Sequence, residues 1–203
     1  GITLDRLGQL CEALKSFDKA IQIKPDYAKA HYNQGNVANQ LGQPDEALES
    51  YDKAIQIKPD YTKAHNNRGS TLNQLGQLSE ALKSFDKAIQ LKPDFAEAYS
   101  NRGVALKGLG RLDEAVTSYN KAIQLKPDYE EAYSNLLMTL NYTPDLNVID
   151  HIATARKFGE LVTEKAKPQF PDYQCLPRPE KLRVGLVSGD LRNHPVGHFL
   201  ESV

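Results

Sequence analysis

The twelve residues Ser-Tyr-Asp-Lys-Ala-Ile-Gln-Ile-Lys-Pro-Asp-Tyr at 50–61 recur almost unchanged at 16–27, 84–95 and 118–129. Each copy begins 34 residues after the one before it, with no insertion or deletion. Self-similarity at one fixed period of this length marks a stack of small supersecondary units, each of which needs a neighbour to bury its apolar face. A helix-turn-helix solenoid is expected.

Counting the period from Ala28 puts Pro59 at position 32. In this frame small residues recur as Gly35, Gly69 and Gly103 at position 8, Ala47, Ala81 and Ala115 at position 20, and Ala54, Ala88 and Ala122 at position 27. An aromatic stands at position 24 as Tyr51, Phe85 and Tyr119. These residues resemble the tetratricopeptide repeat, in which small side chains bring helices A and B close together and the aromatic fills the gap between neighbouring repeats. Lys-Pro at positions 31 and 32 ends helix B, because proline has no N–H to continue the ladder and disfavours a helical residue before it. Asp60, Asp94 and Asp128 are expected to cap the following helix A, the last two with Glu97 and Glu131 at capping-box spacing. Gly42, Gly76 and Gly110 fall where the A-to-B turn needs a permissive backbone, and Asp45, Ser79 and Asp113 are expected to begin helix B.

Composition agrees. Among the 203 residues, 40% are hydrophobic and 25% charged, which suits one solenoid and an appendage. A net charge of −1 gives no global attraction to nucleic acid or to an anionic membrane. The longest apolar runs are too short to span a bilayer and the first residues already belong to a repeat, so the chain reads as cytoplasmic, with no signal peptide and no membrane partner. Cys11 and Cys175 lie far apart with no metal-ligand spacing around them, and read as reduced thiols.

The repeat changes at both ends. Gly1 aligns with Gly35, so the first repeat lacks the opening of its helix A, and the native solenoid is expected to be longer. At the other end, the helix at 130–140 has Leu137 at position 8 and the apolar run Leu136-Leu137-Met138, which suits packing under something other than a standard repeat. Thr143-Pro144-Asp145 signals a turn and a helix start, and Ile149, Ile152, Ala153, Phe158, Leu161 and Val162 then form a broad helical stripe up to about Lys165. This reads as a capping helix. Pro168, Pro171, Pro177 and Pro179 mark an extended connector, and Leu182 to Val187 reads as a buried strand followed by a polar loop and a helix beginning at His198. The expected fold is therefore all-α, a right-handed superhelix over 1–141, then an atypical helix and linker over 142–181. Residues 182–203 form a short truncated α/β segment.

A solenoid acts through its concave face, which helix A lines at positions 2, 5, 6, 9, 12 and 13. Position 6 is asparagine each time, as Asn33, Asn67, Asn101 and Asn135. Asparagine offers both a donor and an acceptor, so such a row can hold the backbone of an extended peptide whatever its side chains; equally, it can bond within the superhelix or face water. Position 2 changes sign along the groove, from Lys29 and Lys63 to Glu97 and Glu131, where the plainer reading is a solvated face. Repeats that grip a carboxylate-ended chaperone tail use lysine or arginine at fixed groove sites. Here those places hold Tyr32, Asn36, Asn67, Glu97 and Asn101, which argues against such a clamp.

The repeats, the stretch Tyr-Ser-Asn-Leu-Leu-Met-Thr-Leu-Asn-Tyr-Thr-Pro-Asp at 133–145, and Leu-Arg-Val-Gly-Leu-Val-Ser-Gly-Asp at 182–190 with Asn-His-Pro-Val-Gly-His at 193–198 together resemble the bacterial O-linked N-acetylglucosamine transferase and SPINDLY-like family, glycosyltransferase family 41. The resemblance implies a parent enzyme in which two Rossmann-like lobes hold a nucleotide sugar, UDP-N-acetylglucosamine or GDP-fucose, while the repeats deliver protein Ser or Thr hydroxyls. It implies a peptide-binding ladder of Asn33, Asn67, Asn101 and Asn135, and places His194 in the active-site cleft as a candidate base or polar organiser, with a weaker claim for His198. The residues that bind the nucleotide lie mostly in a second lobe that these 203 residues do not contain, so the chain alone is not expected to catalyse and needs no cofactor of its own. A plain interaction scaffold for protein or peptide partners is the alternative, and solenoid ends leave self-association open.

Overall fold

The structure, a computed structural model, describes residues 4–142 and 148–166. The chain divides into two units, Gly1–Lys165 and Ala166–Val203, and the description that follows is of the first. Every element among the described residues is a helix: α1 (Leu4–Ile23), α2 (Ala28–Gln40), α3 (Pro44–Ile57), α4 (Thr62–Gln74), α5 (Leu78–Leu91), α6 (Ala96–Gly108), α7 (Leu112–Leu125), α8 (Glu130–Leu140) and α9 (Val148–Ala166). Helices α2, α4, α6 and α8 are the A helices of the frame, and α3, α5 and α7 the B helices.

What brings A and B together is a ring set against a missing side chain. A Cβ added to Gly69 would stand 2.6 Å from Phe85 Cε1, and at Gly35 and Gly103 the same construction meets Tyr51 at 2.7 Å and Tyr119 at 2.6 Å. The aromatic thus lies on the glycine of its own repeat, rather than only in the gap to the next one as the sequence suggests, because A and B of one repeat are the pair in closest contact. Burying such a ring stabilises by about 2–3 kcal/mol, and the rings are 0–1% exposed. The alanines at positions 20 and 27 are fully buried beside them.

The A-to-B turns follow the glycines. Gly42, Gly76 and Gly110 have φ of +76°, +75° and +75°, where a Cβ is strained. The following N–H closes each turn, as Gln43 N donates to Ala38 O at 2.9 Å while Gly42 N donates to Asn39 O at 3.1 Å. This double bond pattern satisfies the last free carbonyls of helix A. Helix B begins at Pro44, Leu78 and Leu112, one residue ahead of Asp45, Ser79 and Asp113.

The B-to-A turns depart from expectation. Tyr61, Phe95 and Tyr129 are the N-caps of α4, α6 and α8, with no side-chain cap bond. Asp60, Asp94 and Asp128 sit one residue too early to cap, so the pairs with Glu97 and Glu131 form no capping box. Instead their backbone carbonyls accept from Thr62, Ala96 and Glu130 N–H at 2.8, 3.1 and 3.0 Å. The physical reason is the aromatic. Proline and aspartate form a tight turn that delivers the ring to the helix start, where the lysine before the proline covers it: Lys58, Lys92 and Lys126 Nζ stand 5.5, 5.6 and 4.8 Å from the ring centroids. In two of these turns a histidine adds a bond, with His31 Nε2 donating to Pro25 O at 3.0 Å and His65 Nε2 to Pro59 O at 2.9 Å.

At the ends the pattern changes. Gly8 stands at the frame position of Gly42 yet lies inside α1, without the positive φ of the later turns. No helix A precedes it in the described residues for a turn to close against. At the far end Tyr133 of α8 stacks on Phe158 of α9, centroids 6.3 Å apart at 29°, so α9 contacts the last helix A by an aromatic from its expected apolar stripe. The turn at 143–145, the proline-rich connector from Lys167, Cys175, and the strand, loop and helix of 182–203 with His194 and His198 lie outside the described residues.

Two glycines separate close packing from helix propensity. Gly69→Ala is expected to destabilise by about 1–3 kcal/mol, because the ring it meets cannot withdraw. Gly8→Ala, with nothing within 4 Å of its Cβ, is expected to stabilise by about 0.5–1 kcal/mol. Urea unfolding of the two variants checks both signs.

Candidate functional site

Successive A helices touch one another, α2 with α4, α4 with α6 and α6 with α8, whereas no B helix touches another B helix among the described residues. A stack in which only one row of helices closes up is curved towards that row. The A helices therefore form the inner face.

The side chains that meet across this face are those at positions 2, 5, 6, 9 and 12. Asn67 Nδ2 donates back to the previous repeat, to Tyr32 Oη at 3.1 Å and Asn36 Oδ1 at 2.8 Å. Asn101 Nδ2 does the same to Asn66 Oδ1 at 3.1 Å and Ser70 Oγ at 3.3 Å. Asn66 Nδ2 in turn donates to Glu97 Oε1 at 3.1 Å and to Asn67 Oδ1 at 3.3 Å. Tyr51 Oη donates to the Asn36 Oδ1 that Asn67 also reaches, at 2.9 Å. Burial pushes the Tyr51 hydroxyl above the ordinary phenol range, with the nearby Tyr32 adding to it, so the group stays a donor. Asn36, Asn39, Gln40, Tyr51, Asn67 and Ser70 line an open concavity of about 340 Å³.

Of the four asparagines singled out from the sequence, the structure therefore divides the roles. Asn67 and Asn101 use their N–H groups to tie one repeat to the one before it. The side chains of Asn33 and Asn135 make no hydrogen bond among the described residues, and both are part-exposed on the same row. No group of side chains suited to a metal ion occurs among the described residues, and Cys11 is a free, exposed thiol.

One recurrent device escaped the sequence reading. Arg68 Nε pairs with Asp52 Oδ1 of the previous repeat at 2.6 Å while its Nη1 donates to Ser84 Oγ at 2.7 Å. Arg102 repeats this with Asp86 and Ser118, both at 2.7 Å. Gln34 substitutes for the arginine one repeat earlier, donating to Asp18 Oδ1 at 2.8 Å and accepting from Ser50 at 3.2 Å. Each staple joins position 25 of one repeat to positions 7 and 23 of the next. The pattern ends where Asn120 and Leu136 occupy positions 25 and 7, and Leu136 is buried instead. The signal that would have found it is Asp18, Asp52 and Asp86 recurring with the period of Ser50, Ser84 and Ser118.

Models of the tetratricopeptide repeat match residues 6–42, 28–61, 50–83, 69–110 and 96–129, so that matched sequence runs without a gap from 6 to 129. No curated protein matches the chain. Among solved structures, MamA 41-end from Desulfovibrio magneticus RS-1 is 23% identical with a TM-score of 0.67, covering 80% of this chain and 89% of that one. YrrB, described as a TPR protein with an unusual peptide-binding site, is 25% identical at a TM-score of 0.63, covering 79% and 82%. The second TPR domain of human RPAP3, solved in complex with an HSP70 peptide, is 26% identical at 0.54, covering 55% and 93%. No described helix is long and apolar enough to cross a membrane.

Two outcomes test the joints between repeats. Arg102→Ala is expected to cost about 1 kcal/mol, the worth of a charge-assisted bond with a half-exposed partner. A double-mutant cycle with Asp86→Ala should return a coupling of about 0.5 kcal/mol or more. His65 carries a pH dependence. Its burial, chiefly, holds its pKa below the ordinary 6.5 against the raising effect of the Pro59 carbonyl, with Lys87 and Arg68 also lowering it. As pH falls through about 6.5 the unfolded chain takes up a proton that the folded chain refuses. Stability from neutral His65 is thus full above that pH and lost below it, and His65→Gln should flatten the fall in urea midpoint between about pH 7.5 and 5.5.

Proposed function

From the premise that the chain belongs to the tetratricopeptide-repeat proteins, we propose that it is a protein-interaction scaffold whose inner face binds an extended peptide segment of a partner. The observation that carries the reading is the unspent hydrogen-bonding capacity of the asparagine row. The Asn33 and Asn135 side chains are free at both ends, Asn101 commits its N–H groups and keeps its carbonyl oxygen, and Asn67 commits its N–H groups while its oxygen accepts one bond from Asn66 and has a second lone pair to offer. A row of amides can pair with backbone groups of an extended strand, each bond being worth about 0.5–1.5 kcal/mol net. Recognition of that kind tolerates many side-chain sequences. The peptide complex of the RPAP3 domain and the peptide-binding site of YrrB support it as the kind of ligand such a stack takes. The present groove differs from a carboxylate clamp in holding Tyr32, Asn36, Asn67, Glu97 and Asn101 where cations would be needed.

The test separates binding from folding. A random library of about twelve-residue peptides is selected on the chain, long enough at roughly 3.3 Å per residue to run along all four A helices. Asn33→Ala with Asn135→Ala should weaken the selected peptides several-fold while leaving the urea midpoint unchanged. Asn67→Ala with Asn101→Ala should weaken binding and also cost about 1 kcal/mol per site. Selected peptides that bind all of these variants as tightly as the parent count against the groove.

A second, finer reading rests on sequence alone. We propose that residues 182–203 open the nucleotide-sugar lobe of a protein O-glycosyltransferase, to which the repeats recruit acceptor Ser or Thr hydroxyls. His194 would then assist removal of the acceptor proton, and UDP-N-acetylglucosamine or GDP-fucose would be the donor. A parent polypeptide carrying complete lobes should release nucleoside diphosphate when given donor and acceptor, and His194→Ala should abolish that release. A parent that releases none is a scaffold only.

A further inference from the structure

The groove is not uniform along its length, and three rows change together. At position 2, Lys29 and Lys63 are exposed on α2 and α4, whereas Glu97 and Glu131 are exposed on α6 and α8. That this position belongs to the inner face is shown by the bond from Asn66 Nδ2 to Glu97 Oε1 across α4 and α6. At position 9 the residues run Asn36, Ser70, Val104 and Met138, from polar to apolar. Met138 is 51% exposed and its sulfur receives Lys107 Nζ at 3.5 Å, which keeps it on the inner row. At position 5 the N-terminal end alone carries an aromatic, Tyr32, whose ring lies 5.0 Å from that of Tyr61.

We infer that the groove takes a charge-segregated peptide: carboxylate side chains over α2 and α4, and a lysine or arginine accompanied by an apolar side chain over α6 and α8. This rests on the peptide-scaffold reading and names the class of peptide. Helices in contact pack about 8–10 Å apart. The step from Lys63 to Glu97 is then spanned by about three extended residues, and that from Lys29 to Glu131 by about eight. The acidic and basic groups of the occupant should therefore stand between about three and eight residues apart. A uniformly acidic segment meets Glu97 and Glu131, although Lys107 on the same face offers it one cation, and a uniformly basic one meets Lys29 and Lys63, so each is repelled at one end. The segregation sets specificity and register, while the asparagine row supplies bonds common to any peptide.

The experiment uses four labelled peptides of equal length, read by fluorescence anisotropy against the whole chain. One carries two glutamates, a neutral spacer of about six residues, then leucine and two lysines. The second has the same composition with the charges alternating. The third and fourth are all acidic and all basic. The segregated peptide is expected to bind about tenfold tighter than its alternating isomer at low salt, with the advantage shrinking as salt rises. Lys29→Glu with Lys63→Glu should weaken the segregated peptide about tenfold and strengthen the all-basic one. Glu97→Lys with Glu131→Lys should do the converse for the all-acidic one. All four positions are exposed, and a cooperative urea transition confirms folding; its midpoint should be unchanged for the lysine pair and lowered for the glutamate pair, because Glu97 accepts from the buried Asn66. Equal binding of all four peptides overturns the charge segregation and leaves the groove reading standing. Binding by none of them, together with library peptides insensitive to Asn33→Ala and Asn135→Ala, overturns the groove reading as well.

Discussion

The contact on which the stack depends is a ring pressed on a backbone that has no side chain. Tyr51, Phe85 and Tyr119 reach the Gly35, Gly69 and Gly103 backbones more closely than any Cβ would permit. That distance sets how near helices A and B come. It also explains why Ala47, Ala81 and Ala115 are fully buried next to the rings, since a larger side chain there would hold the pair apart. The ring supplies the apolar area and the small residues supply the fit. Neither suffices alone.

With the pair fixed, the joints between repeats combine an apolar core that runs on from Leu72 and Phe85 through Leu106 and Tyr119 to Leu136 with a set of polar bonds. On the inner face Asn67 and Asn101 reach back one repeat, and elsewhere Arg68 and Arg102 reach an aspartate of the repeat before and a serine of their own. Directional bonds of this kind fix the rotation from one repeat to the next, which apolar contact alone constrains weakly. The staple is not carried through to the last joint. Leu136 and Asn120 remove the staple at the last joint, and Tyr133 turns to Phe158 instead. At that joint the buried Leu136 joins the apolar core in place of the arginine.

How much of this was legible depended on whether the physics was local. The period, the turn glycines with positive φ, the proline stops and the buried alanines follow from backbone sterics and from spacing along one helix, and all were readable. The Asp94 and Asp128 caps were misjudged because the spacing to Glu97 and Glu131 is right while the register is off by one; the ring of Phe95 or Tyr129, docked under its lysine, takes the cap position. The arginine staples were invisible for a different reason. Each joins three residues of which two lie in different repeats, and that requires knowing the rotation between repeats. For the groove, the asparagine row was visible, but its division into bonded centre and free ends was not, because the partners of Asn67 and Asn101 stand one repeat earlier in the chain, at Tyr32, Asn36, Asn66 and Ser70.

The same division explains how one scaffold can carry a particular recognition. Positions 8, 20, 24 and 27 face between helices, and any change there alters how A and B fit. Positions 2 and 9 face the groove, and there the chain does change: lysine becomes glutamate, and asparagine becomes serine, valine and methionine. Exposed charges contribute little to folding, so their sign is free to be set by what lies in the groove. Part of this change also serves the fold, since Asn36, Ser70 and Glu97 accept bonds across the joints. Under the peptide-scaffold reading, the change of sign from Lys63 to Glu97 is what a charge-segregated ligand would recognise.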